Sequence, residues 1–282
     1  MIVFTPIGGL GNQLFQIFAI IAHGIENKIE FKFVYADQSG SVTPRKTYWN
    51  DFLSSIKFFT VYPHNVPPNL AVIKYPQFHH VPLVVHNSTV NITYHGYFQS
   101  WKYFDHRKED LFRMIKLKDH KDGVMQKLNN PCMNNTIAMH FRFGDYKHLD
   151  HTHPVMVPSY YANALTYILS KVPPKKYTVY YFHEKEDRAE LDDRFISVLS
   201  AMMPSLTFVS VADMDLEDWE EMMFMCQCQH NIIANSSFSW FGAYFNDNKD
   251  KIVCHPSKWF NGEAEEKNRL DDLCPPSWIK IA

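Results

Sequence analysis

From Thr136 to the C-terminus, short apolar runs alternate with longer stretches of helical period, and few folds accept that alternation. Thr136–Phe141, Tyr177–Phe182, Leu206–Val211, Asn231–Ala234 and Lys251–Cys254 read as strands, the last of them closing the series. Between them Ser159–Ser170, Arg188–Met203, Glu217–Cys228 and Ser237–Asn246 read as helices, several with apolar residues three and four apart. Apolar strands separated by helices predict a parallel sheet covered on both faces, because parallel neighbours need a long crossover.

The N-terminus repeats the theme. Ile2–Thr5 reads as a strand, Gly8-Gly-Leu-Gly-Asn12-Gln13 as a turn, and a helix follows with Leu14, Ile17, Phe18, Ile21 and Ile25 inward. Phe31–Tyr35 is a second strand. Residues 40–105 are rich in Pro, His and aromatics with little periodicity, and are expected to form loops and short pieces. Asn129–Asn135 is rich in turn formers and serves as the linker. The chain of 282 residues therefore divides into halves at 1–130 and 136–282, each large enough for its own core.

Composition narrows the function. A net charge of −2 gives no basic footprint for nucleic acid. No window approaches the roughly 20 apolar residues of a membrane span, and the opening strand leaves no room for a signal peptide. These observations predict a cytoplasmic or cytosol-facing location with no membrane segment. Five cysteines are odd in number, and Cys226-Gln-Cys228 lacks the spacing of a redox or zinc pair, so reduced thiols are expected. Sequons at Asn87, Asn91, Asn134 and Asn235 read as unmodified. Lys116–Lys121 and Glu217–Glu221 read as solvated charged faces, and Met222, Met223 and Met225 as core filler.

Two segments suit phosphate. In Asn235-Ser236-Ser237-Phe238-Ser239-Trp240-Phe241-Gly242 a strand runs into serines at a helix start, where unpaired N–H groups face an anion. Ser236, Ser237 and Ser239 are expected to face the ligand while Phe238, Trp240 and Phe241 bury the helix. The bland alternative is an N-cap hydroxyl serving only its own backbone. In His140-Phe-Arg142-Phe-Gly144-Asp145-Tyr146, His140 and Arg142 share one face of a strand end. Arg142 can hold a diphosphate bidentately, and Gly144 permits a turn returning Asp145 to the crevice. Against this stands a structural Arg142–Asp145 ion pair. Gly9-x-Gly11 after a strand also resembles a dinucleotide turn, yet Leu14 occupies the place of the third glycine and only Asp37 lies near as an acidic ribose partner. Asn12 and Gln13 tilt that turn from structural to ligand-facing. His148, His151 and His153 lack metal-site spacing and read as a polar loop, so no metal is assigned.

Taken together, Gly8–Gln16, His140–Tyr146 and Asn235–Gly242 resemble the three signature blocks of α-1,2-fucosyltransferases, glycosyltransferase family 11. Gly96–Phe104, Met222–Ile233, Pro256–Phe260 and Pro276–Ile279 are similar to further family segments, so the likeness spans nearly the whole chain. The resemblance implies an α/β, GT-B-like fold of two Rossmann-type halves with mainly parallel sheets, the N-terminal half on the acceptor side and the C-terminal half holding GDP-L-fucose. It implies inverting transfer of fucose to O-2 of a galactoside, with no cofactor or metal required. Carried over, Arg142 would hold the β-phosphate, Ser236, Ser237 and Phe238 would contact phosphate and ribose, His140 the nucleoside, and Asp213 the guanine. Asn12, Gln13 and Asn235 complete the expected donor contacts, and Asp145 is the first candidate base, with Asp150 and His153 behind it.

Two departures stand out. The family's second arginine is Phe143 here, and its usual Ser-Asp-Asp is replaced by Phe182-His183-Glu184-Lys185-Glu186-Asp187. They keep two alternatives open: a transferase of another nucleotide sugar, and a nucleotide- or glycan-binding module without turnover.

Overall fold

The computed structural model describes residues 1–40, 44–85, 90–144 and 151–282. The chain forms two compact units, Met1–His120 with Asn268–Pro275, and Lys121–Lys267 with Pro276–Ala282.

The strands of the first unit are β1 (Ile2–Phe4), β2 (Phe31–Val34), β3 (Gln38–Ser39), β4 (Arg45–Lys46), β5 (Thr60–Val61), β6 (Ala71–Lys74) and β7 (Ile92–His95). β3 and β4 pair antiparallel with each other, and the remaining five form a parallel sheet in the order β5-β2-β1-β7-β6. The helix α1 (Leu10–Asn27) follows β1 and is buried along most of its length. Residues 40–105 thus supply three sheet strands where loops and short pieces were expected. The period was hard to see because β5 has two residues and β6 is an edge strand whose residues are mostly exposed. Two further helices are α2 (Lys108–Met114) and α3 (Leu117–Lys127).

The boundary between units falls inside α3, not at Asn129–Asn135. Asn129, Asn130 and Asn135 do have positive φ, as turn residues should, but they make a turn within the second unit just before its first strand. Residues 268–275 return to the first unit, where the Asp272 carboxylate accepts the His80 N–H at 3.1 Å and the Asp272 carbonyl accepts the Ser100 hydroxyl at 2.9 Å.

The second unit contains β8 (Thr136–His140), β9 (Tyr177–Phe182), β10 (Leu206–Ser210), β11 (His230–Ile232), β12 (Val253–Pro256) and β13 (Ile279–Ile281). They form one parallel sheet in the order β10-β9-β8-β11-β12-β13. β13 extends the series beyond the Lys251–Cys254 run expected to close it. The crossovers are α4 (Pro158–Lys171), α5 (Arg188–Leu191), α6 (Ser197–Met202), α7 (Asp218–Met225) and α8 (Ser237–Tyr244). A π-helical stretch, Asp192–Ile196, joins α5 to α6. Phe141, Tyr161, Leu165, Val179 and Phe195 are packed in the core between sheet and helices.

Starting from the central strand β8, the chain winds outward through β9 and β10, then returns to lay β11 on the other side of β8. In a sheet whose order reverses in this way, ligands bind outside the carboxyl ends of the strands beside the reversal, here β8 and β11. The first unit has its own reversal between β1 and β7.

Candidate functional site

The register of β8 and β11, with His230 opposite Ile137 and Ile232 opposite Met139, brings His140 and the start of α8 to one edge of the sheet. The rings of His140 and Phe238 lie 5.5 Å apart. His140 is buried, and its Nδ1 has no hydrogen-bond partner among the described residues. Burial, reinforced by Arg142 and His183, pushes its pKa down to about 3. The ring is therefore neutral at physiological pH, and its buried open nitrogen awaits a polar partner.

Alternation along the chain sorts the next residues. Phe141 and Phe143 enter the core, with Phe143 edge-on to Phe195 at 5.1 Å. The family's second cation is thus replaced by a core aromatic. Arg142 forms an ion pair with Glu184, which follows β9; the Arg142–Asp145 pair weighed from the sequence involves a residue outside the described ones. Gly144 has φ +34° and donates its N–H to the Asp187 carboxylate at 2.9 Å. A Cβ at 144 would meet only the flexible end of the Glu184 side chain, which can move aside, so glycine is favoured by the backbone conformation rather than by space. Asp145 and Asp150, like His148, lie outside the described residues. The ring of His153 packs on Phe260 at 5.3 Å.

The helix α8 begins at Ser236, whose hydroxyl makes no capping bond to its own helix. The N-cap alternative therefore fails: the first-turn N–H groups are not served by that side chain. Ser237 and Phe238 are half-buried, while Trp240 and Phe241 are fully buried on the far side. Ser239, expected in the crevice, is instead interior and donates to the Ser236 carbonyl at 3.3 Å. Asn235 is also buried, and its Nδ2 bridges the Pro154 and Trp259 carbonyls at 3.0 and 3.1 Å. Its amide nitrogen braces the loops around the site.

The other end of α8 carries two ammonium groups. Lys121 donates to the Phe245 carbonyl at 2.7 Å and reaches Asp247 at 3.1 Å, and Lys251 donates to the Ala243 carbonyl at 2.8 Å. Lys121 is buried, so the solvated face expected for 116–121 does not extend to it. Cations at a helix C-terminus satisfy orphan carbonyls and complement the dipole whose positive end lies at Ser236. Lys121→Met is expected to cost about 1–3 kcal/mol of unfolding free energy by leaving that carbonyl unpaired. Urea denaturation measures it, and an unchanged midpoint would remove Lys121 from this role. Glu220 likewise is buried and paired with Lys127 at 2.6 Å, while its capping box with Glu217 starts α7.

Asp213 follows β10, two strands from β8, and both its oxygens accept from Arg188. Asn12 and Gln13 belong to the first unit. Gln13 braces the turn through bonds to the Gly8 and Lys46 carbonyls, both at 2.8 Å. Asn12 accepts from Gln99, which follows β7, at 2.7 Å. Sequence reasoning passed over Lys121, Asp187, Gln99 and Arg188 as site or supporting residues. Each is an ordinary polar residue whose importance comes from a partner 43 to 126 residues away, or 25 for Arg188, and no local pattern marks it.

Among the described residues no group of three or more His, Cys, Asp or Glu could hold a metal ion, and no helix is long and apolar enough to cross a membrane. All five cysteines are free, with Cys226, Cys228 and Cys254 buried.

Residues 206–282 match the family model described as Glycosyl transferase family 11, a span that includes Asp213 and all of α8. The chain is 26% identical to O-antigen biosynthesis glycosyltransferase WbnK of Escherichia coli, covering 97% of this chain and 98% of that protein. It is 23% identical to an alpha-1,2-colitosyltransferase of Escherichia coli, covering 100% and 99%. Among solved structures, POFUT1 in complex with GDP-fucose superposes with a TM-score of 0.51 at 9% identity, covering 89% of this chain and 97% of that one. That likeness establishes the fold, GT-B, with two parallel-sheet α/β halves. Through its C-terminal sequence match and its full-length relatives, the chain is similar to glycosyltransferases of family 11.

Proposed function

We propose that the protein transfers L-fucose from GDP-L-fucose to a sugar hydroxyl, O-2 of a galactoside, with inversion at the anomeric carbon. The reading is supported by one observation: a buried neutral histidine, two residues before an arginine, has its ring 5.5 Å from Phe238 in the first turn of a serine-started helix beside the sheet's reversal point. Uncapped N–H groups at a helix start and a guanidinium at a strand end suit a diphosphate. In the reaction the acceptor oxygen forms a bond to C1 of the sugar as the C1–O bond to the β-phosphate breaks. The hydroxyl proton passes to a base, and the electron pair leaves on GDP. Arg142 and the first turn of α8 stabilise the charge that grows on that diphosphate. Asp145 is assigned as the base.

The similarity to a colitosyltransferase supports a second reading, in which the sugar moved is colitose, that is, L-fucose without its 3-hydroxyl. A thermal-shift series with GDP, UDP and dTDP, followed by turnover of GDP-fucose and GDP-colitose on galactose-terminated acceptors, tests both. The expected result is stabilisation by GDP first and turnover of a GDP-6-deoxyhexose. Preference for UDP would end the GDP-sugar reading, and GDP binding without sugar transfer to any acceptor would leave a binding module.

A further inference from the structure

We propose that Arg188 is the residue that selects guanine, donating to its O6 while Asp213 accepts from N1–H and N2–H2. This inference rests on the GDP-sugar reading and extends it to base recognition. A cavity of 330 Å³ lies at the carboxyl ends of β9 and β10, lined by Lys185, Arg188, Ala212, Asp213 and Asp215. It is offset from the phosphate-suited crevice by a definite distance. From β11 through β8 and β9 to β10 there are three strand steps, about 14 Å at the usual spacing. An extended nucleoside diphosphate reaches that far from phosphate to base.

Two of the cavity's four charged groups, Arg188 and Asp213, are already posed. Arg188 donates through Nη1 to both oxygens of Asp213, and its Nε lies 3.4 Å from the Asp192 carboxylate. Asp192 is itself fixed by the Tyr181 hydroxyl at 2.8 Å. These bonds hold the planar guanidinium from two sides and leave Nη2 for a ligand. A carboxylate has about four lone-pair sites, so Asp213 can keep its arginine and still accept two more hydrogen bonds. One edge of the pair therefore offers a donor followed by acceptors.

Guanine presents the complement, the acceptor O6 followed by the donors N1–H and N2–H2. Adenine presents a donor followed by an acceptor, so both its groups face like partners. Uracil ends in a second acceptor, which would be aimed at the Asp213 carboxylate. Rejection of the wrong base thus comes from unpaired and repelling groups as well as from lost bonds.

The test is titration calorimetry of GDP, ADP, UDP and the diphosphate of 2-aminopurine riboside, a purine that lacks O6 and with it the proton on N1 but keeps N2–H2. The wild-type protein is compared with Arg188→Gln and Arg188→Lys. Arg188 is on the surface, 42% exposed, and thermal unfolding checks that each variant is folded. Arg188→Gln is expected to weaken GDP about 10- to 100-fold, the scale of one hydrogen bond to a charged group, and to leave the 2-aminopurine nucleotide nearly unchanged. Arg188→Lys, which keeps the charge without the fork, should fall between. Equal losses for both nucleotides, or no loss for GDP, would overturn the role of Arg188 while leaving the donor assignment standing. A wild-type protein that prefers UDP or ADP would overturn both.

Discussion

Arg142→Ala is expected to lower kcat/KM by two to three orders of magnitude, roughly 2.7–4 kcal/mol of transition-state stabilisation, the range of a single electrostatic donor. The guanidinium stands two residues past β8 and acts on the neutral His140, whose ring lies 5.5 Å from Phe238 in the first turn of α8. With His140 uncharged and position 143 taken into the core as phenylalanine, Arg142 is the cation of this block that can face departing GDP. Its pair with Glu184 does not stand in the way. The Glu184 side chain is 48% exposed, and such a pair is worth about 0–1 kcal/mol, less than a charge-assisted fork onto a diphosphate. Arg142→Lys keeps the charge, loses the bidentate geometry and should recover only part of the activity. Single-turnover GDP release from GDP-fucose with a galactoside present measures the effect. A loss of only a few-fold in Arg142→Ala would move leaving-group stabilisation elsewhere.

The second sheet was legible because its strands are mostly apolar runs set between helical stretches, and β8 to β12 fall within two residues of the runs that announce them. Legibility failed where burial is one-sided or absent. The edge strand β6 is mostly exposed and carries no period, and β13 has three residues set after a Pro-Pro pair. The division between units was misplaced for a physical reason as well. Asn129–Asn135 has every turn signal, yet a turn before a strand and a linker between units share the same chemistry. In the site, the strand-end alternation correctly paired His140 with Arg142 and separated them from Phe141 and Phe143. What sequence could not give was the partner of each charge. Glu184 stands 42 residues from Arg142, and Lys121 stands 124 residues from the carbonyl it caps. Such pairs exist only once the sheet order is fixed, since adjacency of β8, β9 and β11 creates them.

Asp145→Asn should abolish most turnover while leaving GDP affinity intact. The acceptor hydroxyl must lose its proton as its oxygen bonds to C1, and a positioned base is worth about 100- to 10,000-fold in that step. His140 is poorly suited to the task. A buried imidazole with its pKa near 3 resists taking a charge, and Arg142 beside it adds to that resistance. The constraints on the residue that follows Gly144 point to Asp145 instead. Gly144 is held by the Asp187 carboxylate and has a φ of +34°, so the chain turns immediately after Arg142. Asp145 is the carboxylate next in sequence to that turn. Asparagine preserves size and hydrogen bonding but removes the basic lone pair, so kcat should drop while the dissociation constant of GDP stays the same. The pH–rate profile separates a base from a binding group. The wild-type enzyme should lose kcat as pH falls through the pKa of one carboxyl group, and Asp145→Asn should lose that limb. If Asp145→Asn retains wild-type kcat with the acid limb in place, the proton goes to another group, and His153 on the loop packed against Phe260 becomes the next to substitute.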